Sequence, residues 1–178
     1  SEFPKRLAKT LRHTKVIHVS TDCVFSGKKG SYVESDTPDP VDDYGISKLE
    51  GEPIEDSMVI RTSLIGRELR GKRSLLEWCV SQAGKEVQGY SNHKWNGLTT
   101  LEFSKCVKKI IDEEMYTPGL HHLFSTPVSK HQILQAINKK FDLGMTIQRV
   151  KAESTIDRTL STEKELADSL EIQSFEEM

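Results

Sequence analysis

Apolar residues cluster along the chain with two alternating signatures. Val16-Ile17-His18-Val19 is a run of strand-forming residues that ends on the polar group Ser20-Thr21-Asp22. Met58-Val59-Ile60 repeats the theme and runs through Arg61-Thr62-Ser63 to Leu64-Ile65. Consecutive apolar positions suit strands of a parallel sheet covered on both faces. Between and around them the period becomes helical. Phe3, Leu7, Ala8 and Leu11 predict a helix from Phe3 to His13, with a basic last turn that suits its C-terminus. A second helix opens at Tyr44, just after Pro38 and Pro40. Pairs of hydroxyl and Glu or Gln three residues apart, Ser74/Glu77, Thr99/Glu102, Ser129/Gln132 and Thr162/Glu165, predict capping boxes for four more. These helices run to about Ala83, Met115, Phe141 and Leu170, and Ser174 to Met178 begins another. Short extended pieces are expected at 87–90, 120–125 and 146–150. Residues 26–43 and 91–97 are expected as loops.

Strands alternating with helices make this an α/β chain with parallel pairing. The boundaries expected are a partial Rossmann sheet over 1–66 and a smaller α/β portion over 67–178, with some strands of the latter returning to the main sheet. No internal repeat or low-complexity segment interrupts the pattern.

At 178 residues the chain can bury a real core, and 35% hydrophobic with 29% charged residues fits a globular protein with a wet surface. A net charge of −2 argues against nucleic acid as a partner. No apolar run approaches the ~18–20 residues of a membrane helix, so a cytoplasmic location without membrane contact is expected. Cys23, Cys79 and Cys106 have no framework spacing and are expected as reduced, buried thiols. The six histidines form no HxxxH, HExxH or Cys/His cluster, so no metal site is expected.

Chemistry concentrates between Val16 and Glu52. Polar residues at the C-terminal end of a parallel strand stand where an α/β sheet opens its ligand crevice. Tyr44 and Lys48 lie at i, i+4, on one helical face. A nearby ammonium favours a phenolate and would lower the ordinary Tyr pKa near 10. The Ser20 and Thr21 hydroxyls can orient a substrate oxygen. Gly66 to Arg73 matches GxxxxGK, yet Arg73 stands where magnesium coordination needs Ser or Thr. That stretch is either a basic loop near a diphosphate, with Arg67 as its fork, or a solvated loop. Trp95 is either core or a flat surface for a base or sugar, with the loop context favouring the pocket.

The stretches VIHVSTDCVFSG, YGISKLEGE and VIRTSLIG resemble the extended short-chain dehydrogenase/reductase family, and within it the dTDP-4-dehydrorhamnose reductase group. The resemblance continues through WNGLTTLEFSK and IDRTLST. It implies NADP(H)-dependent reduction of a 4-keto-6-deoxy nucleotide-sugar, with NAD(H) the alternative cofactor. By the same resemblance, Tyr44 moves the proton, Lys48 lowers its pKa and binds the nicotinamide ribose, and Thr21 holds the substrate oxygen. Ser20, Tyr44, Lys48, Thr62 and Ser63 are the cofactor-side residues it implies. Asp22, Val24, Phe25, Arg67 and Trp95 are those expected on the sugar-nucleotide side. An epimerase or dehydratase on the same scaffold, or a non-catalytic subunit like the regulatory subunit of methionine adenosyltransferase, are the alternatives. A nucleotide-diphosphate sugar is the expected partner, and a homodimer is compatible with the resemblance.

Two departures bear on this. No GxGxxG or GxxGxxG is present, which leads to the expectation that the first strand–helix units and their pyrophosphate loop lie outside this sequence, and that the 178 residues alone are inactive. Leu64 stands where rhamnose-pathway reductases tend to carry a Trp.

Overall fold

The computed structural model describes residues 2–11, 13–55 and 57–178. In chain order the elements are α1 (Phe3–Thr10), β1 (Ile17–Thr21), α2 (Asp43–Glu50), β2 (Met58–Thr62), β3 (Leu64–Ile65), α3 (Leu75–Ser81), β4 (Glu86–Tyr90) and β5 (His93–Trp95). They continue with β6 (Leu98–Thr99), α4 (Thr100–Asp112), β7 (Gly119–His122), β8 (Val128–Ser129), α5 (Lys130–Phe141), β9 (Thr146–Val150), β10 (Ile156–Asp157) and α6 (Leu166–Ser169). The predicted first helix stops at Thr10, and Arg12, inside the predicted span, lies outside the described residues.

The sheet that matters for the site has the order β1-β2-β7, all parallel. Its register sets Thr21 beside Thr62 and Arg61 beside His122. Met58, Val59 and Ile60 are fully buried, as the continuous apolar run requires. Met58 and Ile60 pack with Leu98, Cys106, Ile110 and Leu123 in one core cluster. Leu76, Cys79, Val128, Ile133 and Leu134 form a second, against the parallel pair β4–β9.

Four expectations about the elements are corrected. The expected strand 58–65 is broken at Ser63, whose carbonyl accepts the Leu98 N–H at 2.8 Å, and β3 pairs with β6 instead. The loop 91–97 contains β5, which pairs with β10 and β8. Of the four capping boxes only Ser129/Gln132 is reciprocal. Ser74 and Thr99 do cap α3 and α4, but the Glu77 and Glu102 carboxylates turn to Arg67 and to the Gln173 N–H. Thr162 caps no helix, because its hydroxyl donates to Glu34 at 2.7 Å, and α6 spans four residues only. Ser174 to Met178 is a turn closed by Ser174 and Glu177. Among the described residues no helix is long and apolar enough to cross a membrane.

Candidate active site at the ends of the first two strands

β1 ends at Thr21 and passes directly into a single 3-10 turn, Asp22–Val24. Thr21 starts that turn: its hydroxyl accepts the Cys23 N–H at 3.2 Å and donates to the Asp22 carboxylate at 3.2 Å. Its hydroxyl also acts on the Tyr44 phenol, favouring the ionised form. Asp42 caps α2 by accepting the Gly45 N–H at 2.7 Å. The helix therefore starts just before Tyr44, which is 56% exposed and faces the strand ends. One turn on, the Lys48 ammonium donates to the Val19 carbonyl at 2.8 Å. Of the three residues predicted together, Thr21 and Tyr44 are neighbours, and Lys48 lies one helical turn from Tyr44 with its ammonium on the Val19 carbonyl beneath the strand end.

Electrostatics departs from the expectation that the Lys48 ammonium lowers the Tyr44 pKa: Lys48 is not among the groups that shift it most. Burial raises the Tyr44 pKa above its ordinary value, the Thr21 hydroxyl opposes this, and Cys23, Asp22 and Asp42 add to it. The phenol is thus held protonated at neutral pH. Lys48 is depressed by desolvation and partly restored by Glu52. Asp22 is buried and raised by desolvation, which the Thr21 hydrogen bond and the Arg158 charge counter.

Other predicted residues divide clearly. Thr62 is buried beside Thr21, and its hydroxyl finds no partner. Ser63 is half-buried at the break between β2 and β3. Ser20 faces away from Thr21, as strand alternation demands, and its hydroxyl donates to the Glu52 carboxylate at 2.6 Å in the interior. That removes it from the cofactor side. Val24 and Phe25 are fully buried; the 3-10 turn rotates them into a core cluster where Phe25 stacks on Tyr32 at 4.2 Å. Their side chains offer nothing to a substrate. Arg67 is engaged with the Glu77 carboxylate at 2.8 Å, in an exposed loop. Trp95 packs in the second core cluster, edge-on to Phe175 at 6.1 Å, so the core reading of this Trp replaces the pocket reading. Among the described residues no cluster of His, Cys, Asp and Glu could hold a metal.

Three residues at the site escaped sequence reasoning. Arg61 is 2% exposed next to the C-terminal end of β2 and forms a two-point ion pair with Glu52, 2.9 Å at Nε and 2.8 Å at Nη2. A lone charge inside an apolar strand demands a buried partner, and that signal was available. Arg158 follows β10 and brings its guanidinium to the Cys23 sulfur at 3.5 Å, beside Asp22, with its Nε buried and unpartnered. It reaches the site because Asp157 N–H donates to the Gly27 carbonyl at 2.7 Å and Tyr32 N–H to the Thr159 carbonyl at 2.9 Å. The segment from Ile156 to Leu160 thus straps the loop that follows the 3-10 turn, a pairing too distant in sequence to be read locally.

Residues 1–178 match the family model described as the RmlD substrate binding domain. A dTDP-4-dehydrorhamnose reductase of Aggregatibacter actinomycetemcomitans is 45% identical over 135 residues, covering 66% of this chain and 44% of that protein. The spore coat polysaccharide biosynthesis protein SpsK of Bacillus subtilis is 28% identical over 152 residues, covering 80% of this chain and 52% of that one. The chain spans about half the length of these curated relatives. A solved dTDP-4-dehydrorhamnose reductase of Bacillus anthracis, in complex with NADP, shares the fold at a TM-score of 0.72 and 20% identity, over 90% of this chain and 61% of its own. A family match along the whole length, on a parallel sheet whose strand ends gather Thr21, Tyr44 and Lys48, shows that the chain belongs to the RmlD substrate-binding-domain family.

Proposed function

We propose that this chain carries the acid catalyst of an NADP(H)-dependent reductase acting on a 4-keto-6-deoxy nucleotide-sugar. The observation that carries the reading is the Thr21–Tyr44–Lys48 arrangement at the C-terminal ends of parallel strands. In this reading residues 1–66 belong to the cofactor-binding sheet and 67–178 to the sugar-nucleotide portion, with β7 returning to pair with β2.

The residues present fit a nicotinamide cofactor on its inner side. Thr62 offers a buried, unpartnered hydroxyl at the strand end, and Ser63 follows it. Lys48 spends one donor on Val19 and has three, which leaves donors for ribose hydroxyls. NADP is the cofactor in the Bacillus anthracis structure. The chemistry such a cofactor supplies when bound is hydride donation to a carbonyl carbon.

The chain's own part is positioning and proton transfer. The Thr21 hydroxyl turns its single proton from the Asp22 carboxylate to the substrate oxygen, and Tyr44 donates its phenolic proton to that oxygen as negative charge develops there. A phenol held protonated by burial suits a donor. Lys48, one helical turn away with its ammonium held on the Val19 carbonyl, serves the cofactor ribose rather than setting the Tyr44 pKa. Positioned acids of this kind contribute about 10²–10⁴-fold.

Tyr44→Phe in the full-length protein is the test. Keto-sugar-dependent NADPH oxidation is expected to fall by about 10² or more, with nucleotide-sugar binding nearly intact. Unchanged turnover removes Tyr44 as the acid, and sugar interconversion without net NADPH consumption identifies an epimerase instead.

A further inference from the structure

We infer that Ser20, Glu52 and Arg61 form a buried positioning triad that sets the geometry of the candidate site. The inference rests on the reductase reading above. Each member is covalently close to a residue of that site. Ser20 precedes Thr21 on β1, Arg61 precedes Thr62 on β2, and Glu52 follows the Gly51 cap of α2, four residues beyond Lys48. Glu52 closes the three together: its Oε1 accepts from Ser20 Oγ at 2.6 Å and from Arg61 Nε at 2.9 Å, and its Oε2 accepts from Arg61 Nη2 at 2.8 Å. The Arg61 guanidinium also lies 5.2 Å from the Phe25 ring, just past the 3-10 turn. The strand ends, the catalytic helix and the turn therefore meet on one carboxylate.

Burial alone does not explain a charge here. The Glu52 and Arg61 side chains are 1% and 2% exposed. A buried ion pair is often matched or bettered in stability by apolar side chains of similar volume, whose neighbours Met58, Val59 and Ile60 show that the site accepts them. Directional hydrogen bonds supply what apolar packing does not, which is a fixed distance between elements. Misplacing a reacting group by about 1 Å costs about 10²-fold in rate. Ser20, Glu52 and Arg61 touch neither substrate nor cofactor in this arrangement; they act through Thr21, Lys48 and Thr62.

The test uses the full-length protein with NADPH and a 4-keto nucleotide-sugar. Glu52→Leu combined with Arg61→Met removes both charges together, and Ser20→Ala removes one hydrogen bond while sparing the ion pair. Both are expected to keep a cooperative thermal transition. For the double variant kcat is expected to drop about tenfold or more, with KM for the nucleotide-sugar changed less than about threefold. Ser20→Ala is expected to move the same way by less, and Ser20→Thr to restore the loss. A folded double variant at wild-type kcat overturns the inference and leaves the reductase reading standing. Should the double variant not fold, wild-type kcat in Ser20→Ala overturns it. Wild-type protein without any reductase turnover overturns the reading and the inference together.

Discussion

Gly45 lies against the Cys23 carbonyl so closely that a Cβ on it would stand 2.3 Å from that oxygen and 3.0 Å from the Pro40 Cβ. The helix that carries Tyr44 and Lys48 is thereby seated on the turn that carries Thr21. Gly45→Ala has no relaxed solution, because the facing atom is backbone. It is expected to cost about 1–3 kcal/mol, the range for overpacking, and to reduce turnover by more than its effect on folding accounts for. Urea denaturation and kcat measured on the same preparation check this. Wild-type kcat in a stable Gly45→Ala protein would show that the seat does not matter to catalysis.

Stability is expected to fall on mild acidification. Burial lowers the pKa of His122 below its ordinary 6.5, and the Arg61 charge adds to this, while Glu34 and the backbone carbonyls of Ser161 and Tyr32 oppose it. His121 and His18 are lowered first by burial as well. Between the folded value and 6.5 the unfolded chain binds more protons, so stability is complete above about pH 6.5 and declines as pH falls through that window. His122→Asn, which keeps a donor for the Ser161 and Tyr32 carbonyls near Nδ1, should flatten the slope. Thermal midpoints at pH 7.5, 6 and 5 decide; a wild-type midpoint independent of pH counts against the prediction.

Arg67→Ala is expected to lower stability and to leave nucleotide-sugar binding almost unchanged. The Arg67 side chain is 60% exposed, but its Nε is occupied at 2.8 Å by Glu77, whose side chain is 4% exposed. Removing Arg67 leaves that buried carboxylate without its cation, a loss of about 1–3 kcal/mol. A lowered denaturation midpoint and a nucleotide-sugar KM changed less than about twofold are the outcomes to look for. A tenfold rise in KM would return Arg67 to the diphosphate.

Legibility followed distance along the chain. β1, β2 and α2 could be read because a run of apolar residues, a cap and an i, i+4 pair are local. β5 could not, since His93-Lys94-Trp95 has no periodicity of its own and becomes a strand only by pairing with β8 and β10. Thr162 and Glu165 satisfy the local rule for a helix start, yet Glu34, far away in sequence, takes the Thr162 hydroxyl. Val24 and Phe25 follow Thr21 and Asp22 directly in sequence, but one tight turn is enough to direct them inward. Arg158 arrives from the opposite end of the chain, on backbone hydrogen bonds to Gly27 and Tyr32 that no side-chain pattern announces.

The three thiols should separate by environment. Cys79 and Cys106 are buried, and desolvation pushes both up to about 11. Cys23 is half-exposed between Thr21 and Arg158, and it too is raised, first by burial and then by the Asp22 charge. Since the thiolate is the nucleophile, iodoacetamide at pH 7.5 should label the folded protein slowly and at Cys23 alone, and label all three residues in urea. The added group would stand beside Thr21 and the seat of α2, so activity should be lost in step with Cys23 labelling. Mass spectrometry of labelled peptides against residual turnover makes the comparison. Fast labelling at neutral pH would contradict the raised thiol, and full turnover after stoichiometric labelling would place Cys23 outside the site.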